Sequence, residues 1–541
     1  MINKQVLLTT IFRPFSTPNK FNTVDGEKFL DYFSNRLTRE SGPFVLHDNH
    51  PTVPIYILAN NIEADTTVLE YPTLDEFKAE LRKSYDVLGI SFLVLHFPKL
   101  VHMIALARKI APQTKIVIGG FGTALYHLER LEVDAISRGE GVGFFRDFLG
   151  ESVAKPIEHP LLTVDVRLRL GVQHPGFPGH KCGIIVNGFG CPHGCEFCST
   201  SAYFGRKHIP FMHTADDLVA LMERYEREQG VRDFIIYEED FFLYKKDIDR
   251  VIELSKSKPH QFSYACYSTI KALSQHKLED LVKTGLSHVW IGVESSSSPF
   301  NKSRGRDIHG LFSELQGYGV TTTGSIIAGL DFHKKDNLHL EFEHLASLFP
   351  STVQISNLIA GPGTPLRDRL EREKRLVEDV NLKDSHLYSD TIAHPEFGRG
   401  ELRELIFEGY EYIYHKIGPS LYRILRTWFR GFEGLSKSND AHLQLRARVL
   451  EERIQQLRLT FVETQEFLPN DAIRFEVNYL LQQITSRLGE LTVAQHQRAA
   501  AVRSLFEDER KRFRKDGPHV YEPSTRITTY SRGAAPEAVA V

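Results

Sequence analysis

The spacing of apolar and polar positions divides the chain into three parts, and the first runs to about residue 150. Here short apolar runs alternate with amphipathic stretches. The predicted strands are Val6–Ile11, Thr67–Glu70, Asp86–Leu93, Lys115–Gly119 and Val133–Ser137, and the helices include Leu74–Ser84 and His102–Ile110. Strands that alternate with helices indicate an α/β fold with a parallel, doubly wound, Rossmann-like sheet. Such sheets bind ligands at the carboxyl ends of their strands.

A stretch rich in Pro, His and Gly at residues 151–180 is predicted to be a linker, and the βα rhythm returns from 181 to about 390. The predicted strands are Gly183–Asn187, Asp233–Tyr237, Phe262–Tyr267, His288–Val293, Thr321–Ala328 and Val353–Ile359. Helical patterns fill the gaps between them. Six such repeats indicate a partial (β/α)6 barrel of the TIM type, with its reactive site at the carboxyl ends of the strands.

Beyond residue 391 the apolar positions recur at three- and four-residue intervals, which predicts a helical region up to about 515. Its aromatic residues allow two interpretations: they are core positions of a helical cap, or the cap shapes the barrel mouth and selects the substrate. Residues 516–541 contain Gly-Pro and Gly-Ala-Ala-Pro segments and are predicted to be disordered.

Composition restricts the function classes. A chain of 541 residues is too long for one core, and its net charge of −3 gives no electrostatic case for binding nucleic acid. No apolar run approaches the roughly 20 residues that span a bilayer, and the first residues lack a signal-peptide pattern. We therefore expect a cytoplasmic protein without a membrane span.

The most informative chemistry is the triplet Cys191, Cys195 and Cys198, spaced C-x3-C-x2-C directly after an apolar strand. Three thiolates in a Gly-rich loop can hold a cubane-shaped iron–sulfur cluster, because each thiolate reaches a different iron. A 4Fe–4S cluster normally takes four thiolates, so three leave one iron open for a small molecule. Zinc is the alternative, although no second Cys/His pair follows at the usual spacing. Five cysteines are too sparse for a disulfide framework.

With Phe197 just before the last cysteine, this triplet resembles the signature of the radical S-adenosylmethionine (radical SAM) superfamily. In that family the open iron binds the amino and carboxyl groups of S-adenosylmethionine, and electron transfer cleaves this cofactor to a 5′-deoxyadenosyl radical. The resemblance implies an electron donor such as flavodoxin or ferredoxin.

The same resemblance implies a set of S-adenosylmethionine contacts at the ends of the barrel strands. Glu239 and Asp240 would hold the amino group, and Glu294 in the segment Gly292–Ser295 would contact the ribose. The segment from Gly324 to Gly329 resembles the stretch that packs on the adenine, and Gly363 lies in a Pro-Gly-Thr loop typical of cobalamin-fused members. Cys266 is expected to be a small buried group.

Four residues of the N-terminal region resemble part of a cobalamin-binding pattern: Ser91, Leu93, Gly119 and Gly120. The Gly-Glu-Gly segment at 139–141 resembles the end of such domains. The Asp-x-His-x-x-Gly segment that supplies a lower axial histidine is absent after the first strand, where Thr9–Pro14 stands instead. The resemblance thus implies cobalamin bound without a protein histidine ligand.

The sequence therefore predicts a cobalamin-dependent radical SAM enzyme acting on a small molecule, with methylation of an unactivated carbon as the favoured reaction. The methyltransferase hypothesis has two alternatives. One is a non-methylating cyclase or mutase on the same scaffold, and the other is a regulatory protein that binds cobalamin or S-adenosylmethionine. The predicted domains are 1–150, 181–390 and 391–515, joined by the linker and followed by the tail.

Overall fold

The computed structural model of the chain describes residues 4–13, 46–48, 51–168, 180–257, 262–293, 295, 307–377, 389–516, 524–531 and 536–539. Its strands are β1 (Gln5–Thr9), β2 (Leu46–Asp48), β3 (Asp65–Glu70), β4 (Val87–Ser91), β5 (Lys115–Gly119), β6 (Ala135–Ile136), β7 (Leu162–Leu168), β8 (His180–Val186), β9 (Gly188–Phe189), β10 (Ile209–Pro210), β11 (Asp233–Tyr237), β12 (Ser263–Ser268), β13 (Leu286–Gly292), β14 (Thr321–Ala328), β15 (Thr352–Asn357), β16 (Arg526–Tyr530) and β17 (Glu537–Val539).

The helices share the amphipathic pattern that the sequence predicts, and they fill the intervals between the strands. They are α1 (Val53–Asn60), α2 (Leu74–Leu81), α3 (Phe97–Ile110), α4 (Gly141–Leu149), α5 (Ser199–Tyr203), α6 (Ala215–Gln229), α7 (Lys245–Ser257), α8 (Ile270–Leu273), α9 (Leu278–Thr284), α10 (Ile308–Gly317), α11 (Leu338–Ser347), α12 (Pro365–Arg372), α13 (Glu401–Ile417), α14 (Ser420–Leu435), α15 (Ala441–Leu457), α16 (Leu459–Val462), α17 (Asp471–Leu488) and α18 (Val493–Asp516).

The N-terminal sheet has the order β17-β16-β3-β1-β4-β5-β6, and β3, β1, β4, β5 and β6 are parallel. Alternate residues of β1 enter different cores. Leu7 packs in the layer that contains α2 and α3, whereas Val6 and Leu8 pack in the layer that contains α1 and α4. A parallel strand buried on both faces is apolar throughout, which is why β1 and β5 are readily predicted. The doubly wound architecture is confirmed.

The second sheet has the order β15-β14-β13-β12-β11-β8-β7-β2, and its six strands from β15 to β8 are parallel. Helices α6 to α11 pack on its outer face. This is the partial barrel that the sequence predicts, with the cysteine loop directly after its first parallel strand, β8. A short antiparallel ladder of β9 and β10 flanks that loop.

The C-terminal helices lie along the last barrel strand and the amino-terminal end of the barrel. The Tyr410 hydroxyl of α13 accepts a hydrogen bond from the Ile355 amide of β15 at 2.8 Å. Buried Arg446 of α15 donates to Ser263 Oγ, at the start of β12, at 2.6 Å. Arg453 pairs with Asp233, at the start of β11, at 2.5 Å. These contacts favour a helical cap with core aromatics. The alternative, a cap that shapes the barrel mouth, does not fit α15.

Three segments cross the boundaries predicted from sequence. Residues 46–48 form β2 and pair with β7 at the edge of the barrel sheet. The predicted linker contains β7, which pairs antiparallel with β8. The predicted disordered tail contains β16, which pairs antiparallel with β3 of the N-terminal sheet. Edge strands gain order from a neighbour distant in sequence, so local composition does not predict them. None of the described helices is both long and apolar enough to cross a membrane.

Candidate functional site

The cysteine loop is closed by a serine of the helix that follows it. Cys198 caps α5, and its Sγ accepts a hydrogen bond from the Ser201 amide at 3.4 Å. The buried Ser201 hydroxyl donates to the Cys191 carbonyl at 2.9 Å and accepts from the Gly194 amide at 3.1 Å. The Cys198 amide donates to the Cys195 carbonyl at 3.0 Å. These bonds hold the three cysteines in one compact loop at the carboxyl end of β8.

The cysteines lie within electrostatic range of one another and of Glu239. Burial raises the pKa of Cys191 to about 11, with further contributions from the charges of Cys198, Glu239 and Cys195. Burial also raises the pKa of Cys198, and the charges of Glu239 and Cys195 raise it further. Thiolates in such surroundings need a cationic partner, which a metal centre supplies. The donor set therefore fits an iron–sulfur cluster.

Single-ion sites place different demands on the ligands. Zinc needs four ligands that converge on one point. Among the described residues, no three or more His, Cys, Asp or Glu side chains are arranged to hold one metal ion. A cubane presents a separate iron to each thiolate, so its ligands need not converge. The zinc alternative gains no support from this geometry.

Two of the acids after β11 have different surroundings. Glu239 faces the open space beside the cysteine loop, where burial and the charge of Glu238 raise its pKa. Asp240 is buried, and both of its oxygens accept hydrogen bonds from the protein: from Ser268 and the Thr269 amide at 3.0 Å, and from the Thr269 hydroxyl and His193 Nε2 at 2.8 Å. Asp240 therefore supports the cysteine loop, whereas Glu239, which also contacts the Thr200 side chain, lines the cavity.

A cavity of about 600 Å³ separates the carboxyl ends of the two sheets. Its lower wall contains Thr200 and Tyr203 of α5 together with Tyr237, Glu239 and Tyr267 at the ends of β11 and β12. Its upper wall consists of the loops after β4, β5 and β6. Both sheets thus direct the ends at which ligands bind towards one enclosed space.

The upper wall contains three of the four residues predicted to contact cobalamin. Ser91, Gly119 and Gly120 line the cavity, as do residues 139–142. Leu93 does not line it and instead precedes a short turn. Gly120 has φ +90°, and a Cβ on it would lie 2.8 Å from the Phe92 carbonyl oxygen. Only glycine fits this position without strain. None of the described residues that line the cavity is a histidine.

Helix α1 forms a side wall that the sequence did not assign to the site. The helix residues that line the cavity are Val53, Pro54, Ile55, Ile57 and Leu58, and a buried carboxylate holds the start of the helix. Glu70, at the end of β3, accepts hydrogen bonds from the Thr52 amide and from the Tyr56 hydroxyl. Arg526 of β16 pairs with the same carboxylate at 3.3 Å. The last part of the chain thereby supports a wall of the cavity.

Replacing Arg526 with methionine is expected to lower the free energy of unfolding by about 2 kcal/mol, because Glu70 loses its cationic partner. Burial raises the pKa of Glu70 and Arg526 opposes this rise. A carboxyl whose pKa is higher in the folded than in the unfolded protein stabilises the fold at low pH. This contribution is lost as pH rises from the pKa of the unfolded state to the pKa of the folded state. The variant should therefore lose stability more steeply than the wild type as pH rises above the ordinary pKa of a glutamate. Urea unfolding measures both effects.

The matched control is Arg487→Met, because Arg487 forms an exposed pair with Glu433 at 3.9 Å. Exposed pairs contribute about 0–1 kcal/mol, so this variant should be close to wild type at every pH. An equal loss of stability in the two variants would contradict a special role for Arg526.

The remaining residues predicted to contact S-adenosylmethionine do not line the large cavity. Gly292 ends β13, and Glu294 lies outside the described residues. The Ser295 hydroxyl donates to buried Glu341 of α11. Gly324 faces the helix layer, because a Cβ there would meet Leu345 at 2.8 Å. The Cα of Gly324 thus points towards the helices, since alternate residues of a strand face opposite sides, and its contact with the cofactor stays a prediction.

Two glycines beyond β14 have separate positions. Gly329 lines a smaller cavity of about 190 Å³ between the end of β15 and the start of α13. Gly363 has φ +76° and open space around its Cα. Cys266 is buried in the outer face of β12, as expected for a small core residue. Tyr203, Thr200 and α1 are cavity residues that sequence reasoning missed. The sequence signal that indicates Tyr203 as a site residue is its position five residues after Cys198.

Comparison with known proteins identifies the central part of the chain. Residues 185–335 match the family model of the Radical SAM superfamily, so the predicted radical SAM domain is confirmed there. A hopanoid C-2 methylase of Rhodopseudomonas palustris is 26% identical over 255 residues, which cover 44% of this chain and 48% of the methylase. The chain thus spans about half the length of this relative.

Two further proteins are similar over longer stretches. An uncharacterized methyltransferase of Pyrococcus horikoshii is 22% identical over 321 residues, covering 52% of this chain and 68% of that protein. The structure of the radical S-adenosylmethionine methyltransferase TsrM from Kitasatospora setae, with cobalamin and a [4Fe-4S] cluster bound, covers 84% of this chain and 99% of its own. The sequence identity with TsrM is 13% and the TM-score is 0.48.

Proposed function

We propose that this protein is a cobalamin-dependent radical SAM enzyme that methylates a carbon of a small molecule. One observation carries the proposal: the segments on either side of the cysteine loop, Gly188–Gly190 and Thr200, line the same cavity of about 600 Å³ as the Gly-rich ends of a doubly wound sheet. The likeness to a hopanoid C-2 methylase supports methylation of carbon. In this proposal residues 1–150 contain the cobalamin domain, 181–390 the radical SAM core and 391–515 a helical support.

The chain's residues fit the cofactors in the following way. Cys191, Cys195 and Cys198 would hold a 4Fe–4S cluster, and Glu239 would accept the ammonium group of S-adenosylmethionine. When bound, the cluster supplies an electron, S-adenosylmethionine a radical and methyl groups, and cobalamin a methyl carrier. The protein supplies enclosure and position.

The upper wall fits a large, flat-sided cofactor because backbone forms much of it. Gly119 and Gly120 leave no side chain between the sheet and the cavity, and the Ser91 hydroxyl lies beside them. None of the described residues that line this wall is a histidine. Apolar α1 closes the side and excludes water from reactive groups. When two cofactors and a substrate are held in one cavity, their reaction becomes effectively intramolecular and does not depend on collisions in solution.

The proposed function is tested by anaerobic reconstitution with iron, sulfide and hydroxocobalamin, followed by absorption and electron paramagnetic resonance spectra. We expect about four irons and one cobalt per chain. Candidate small molecules are then supplied with S-adenosylmethionine and a chemical reductant. Release of both 5′-deoxyadenosine and S-adenosylhomocysteine with a methylated product supports the proposal. Release of 5′-deoxyadenosine alone favours a cyclase or mutase, and absence of cobalt uptake contradicts the proposal.

We also propose where the protein that donates the electron binds. The cavity and the N-terminal sheet lie on one side of the segments that flank the cysteine loop, so we place the donor on the opposite side. Arg206 and Lys207 are exposed, and the Arg206 side chain packs over Gly194 of the loop. Neither has a carboxylate partner within the described part of the chain. On the other flank, Arg369 of α12 pairs with Glu196 of the loop at 3.1 Å.

Residues 365–375 contain five basic and three acidic residues, whereas the whole chain has net charge −3. Arg369 and Arg375 also pair with Asp331, and Arg369 pairs with Glu196, so the excess of positive charge comes from the remaining basic residues together with Arg206 and Lys207. A local positive surface beside the loop complements an acidic one-electron carrier such as flavodoxin or ferredoxin. The carrier would lose one electron and the cluster would gain one, with no proton or bond transferred.

Reversing two charges, Lys207→Glu with Arg372→Glu, should weaken binding of an acidic flavodoxin and of an acidic ferredoxin by about tenfold at low salt. Calorimetry measures this affinity, which should also fall with ionic strength in the wild type. Lys416→Glu, near the amino-terminal end of the barrel, is the matched control. Cleavage of S-adenosylmethionine driven by dithionite should stay unchanged. Equal affinity in all three proteins would contradict the site.

A further inference from the structure

The last residue of α5 connects the cysteine loop to the upper wall of the cavity. The Tyr203 hydroxyl lies 3.0 Å from the Gly139 amide, 2.8 Å from Thr123 Oγ1 and 3.2 Å from the Gly120 carbonyl oxygen. Cys198 caps the same helix five residues earlier. One short helix thus spans from a predicted cluster ligand to the loops after β5 and β6.

Each amide or hydroxyl hydrogen of these groups can be assigned to one acceptor. The Gly139 amide can only donate, so the Tyr203 oxygen accepts from it. Thr123 donates its hydroxyl hydrogen to the Gly120 carbonyl at 2.7 Å. The Tyr203 hydroxyl therefore donates to Thr123 Oγ1, and its longer approach to the Gly120 carbonyl is a secondary contact. The result is a directed chain: Gly139 to Tyr203 to Thr123 to Gly120. Such chains strengthen each of their bonds.

The ring of Tyr203 is fixed independently of its hydroxyl. Its centroid lies 4.9 Å from that of Phe121 and 5.1 Å from that of Phe204. Thr123 is fully buried. Removal of the hydroxyl alone would therefore leave the aromatic packing in place and break the middle of the chain. This separation makes the role of the hydroxyl measurable.

We propose that Tyr203 is a positioning residue that sets the spacing between the cysteine loop and the loops of the upper wall. Both Gly120 and Gly139 line the cavity, so the chain fixes where a ligand of the upper wall lies relative to the loop below. The effect on catalysis rests on the proposed function. Transfer between two bound groups needs reacting atoms about 3–3.5 Å apart, whereas cleavage of S-adenosylmethionine concerns the lower site alone.

The test uses Tyr203→Phe, Thr123→Val and the double variant, with Tyr264→Phe as the control. Tyr264 has a buried hydroxyl 2.8 Å from Thr284 Oγ1, between the outer face of β12 and helix α9, away from the cavity. In apo protein, hydrogen exchange of the Gly139 amide should accelerate about tenfold in Tyr203→Phe, because that amide loses its acceptor. In the double variant the Gly139 amide should exchange little faster than in Tyr203→Phe, since both residues belong to the same chain of hydrogen bonds. The control should leave Gly139 unchanged.

In reconstituted protein, the amount of methylated product per 5′-deoxyadenosine should fall about tenfold in Tyr203→Phe. Unchanged exchange at Gly139 would overturn the proposal. So would accelerated exchange throughout the barrel or a parallel fall of both products, because these indicate a purely structural role. If the wild type makes no methylated product, the proposed function fails, and local acceleration at Gly139 alone still supports the positioning role.

Discussion

Cys198→Ala protein should retain almost no iron after reconstitution and should not cleave S-adenosylmethionine. A cubane held by three thiolates already lacks one protein ligand, so the loss of another leaves two irons without protein support. The substitution also removes the Sγ that accepts from the Ser201 amide. We expect iron to fall from about four to below about one per chain. Cleavage should fall by a hundredfold or more, on the order of the loss that follows damage to metal ligation.

Cys266→Ala is the control for this experiment. Cys266 is as buried as the core around it and lies on the outer face of β12, so its loss should affect stability and not iron content. Iron analysis, visible absorption and chromatography of 5′-deoxyadenosine compare the variants. Normal iron and normal cleavage in Cys198→Ala would refute the assignment of the cluster.

Gly120→Val should prevent tight binding of cobalamin. At φ +90° a side chain is strained, at a cost of about 1–3 kcal/mol. Its Cβ would also lie 2.8 Å from the Phe92 carbonyl oxygen and 3.1 Å from Ser91 Oγ. The loop must move, and the movement brings a branched side chain to the upper wall. We expect affinity for hydroxocobalamin to fall about a hundredfold, or about 2.7 kcal/mol, as measured by equilibrium dialysis.

Gly150→Val separates backbone strain from loss of the cavity wall. Gly150 has φ +78°, ends α4 and would place its Cβ in open space. This variant should lose a similar amount of stability and keep its affinity for cobalamin. Equal weakening by both substitutions would mean that Gly120 acts through overall stability, and unchanged affinity in Gly120→Val would remove the upper wall from the cofactor site.

The architecture was predictable where one local pattern determines the structure. Strands such as β5 and β14 are buried by helices on a sheet face, so their apolar runs identify them without knowledge of the fold. The cysteine triplet was equally clear, because its C-x3-C-x2-C spacing by itself indicates three thiolate ligands of an iron–sulfur cluster. The order of the two domains along the chain followed from the same βα rhythm.

The parts that sequence did not predict depend on contacts between distant residues. Asp240 adjoins Glu239 in sequence, yet its partners Ser268 and Thr269 turn it away from the cavity. Gly324 faces the helices because alternate residues of β14 point to opposite sides of the sheet, and a sequence motif does not reveal which side each one takes. Strand β16 exists only because β3 offers an edge some 450 residues earlier. Each case is decided by tertiary neighbours.

The support of α1 by Arg526 has a consequence for the order of events during biosynthesis. Glu70 and α1 leave the ribosome early, whereas the guanidinium that neutralises this carboxylate is translated more than 450 residues later. At about 5–20 residues per second, the delay is on the order of tens of seconds. The contact that neutralises Glu70 and supports the start of α1 therefore forms only after residues 71–525 have been translated.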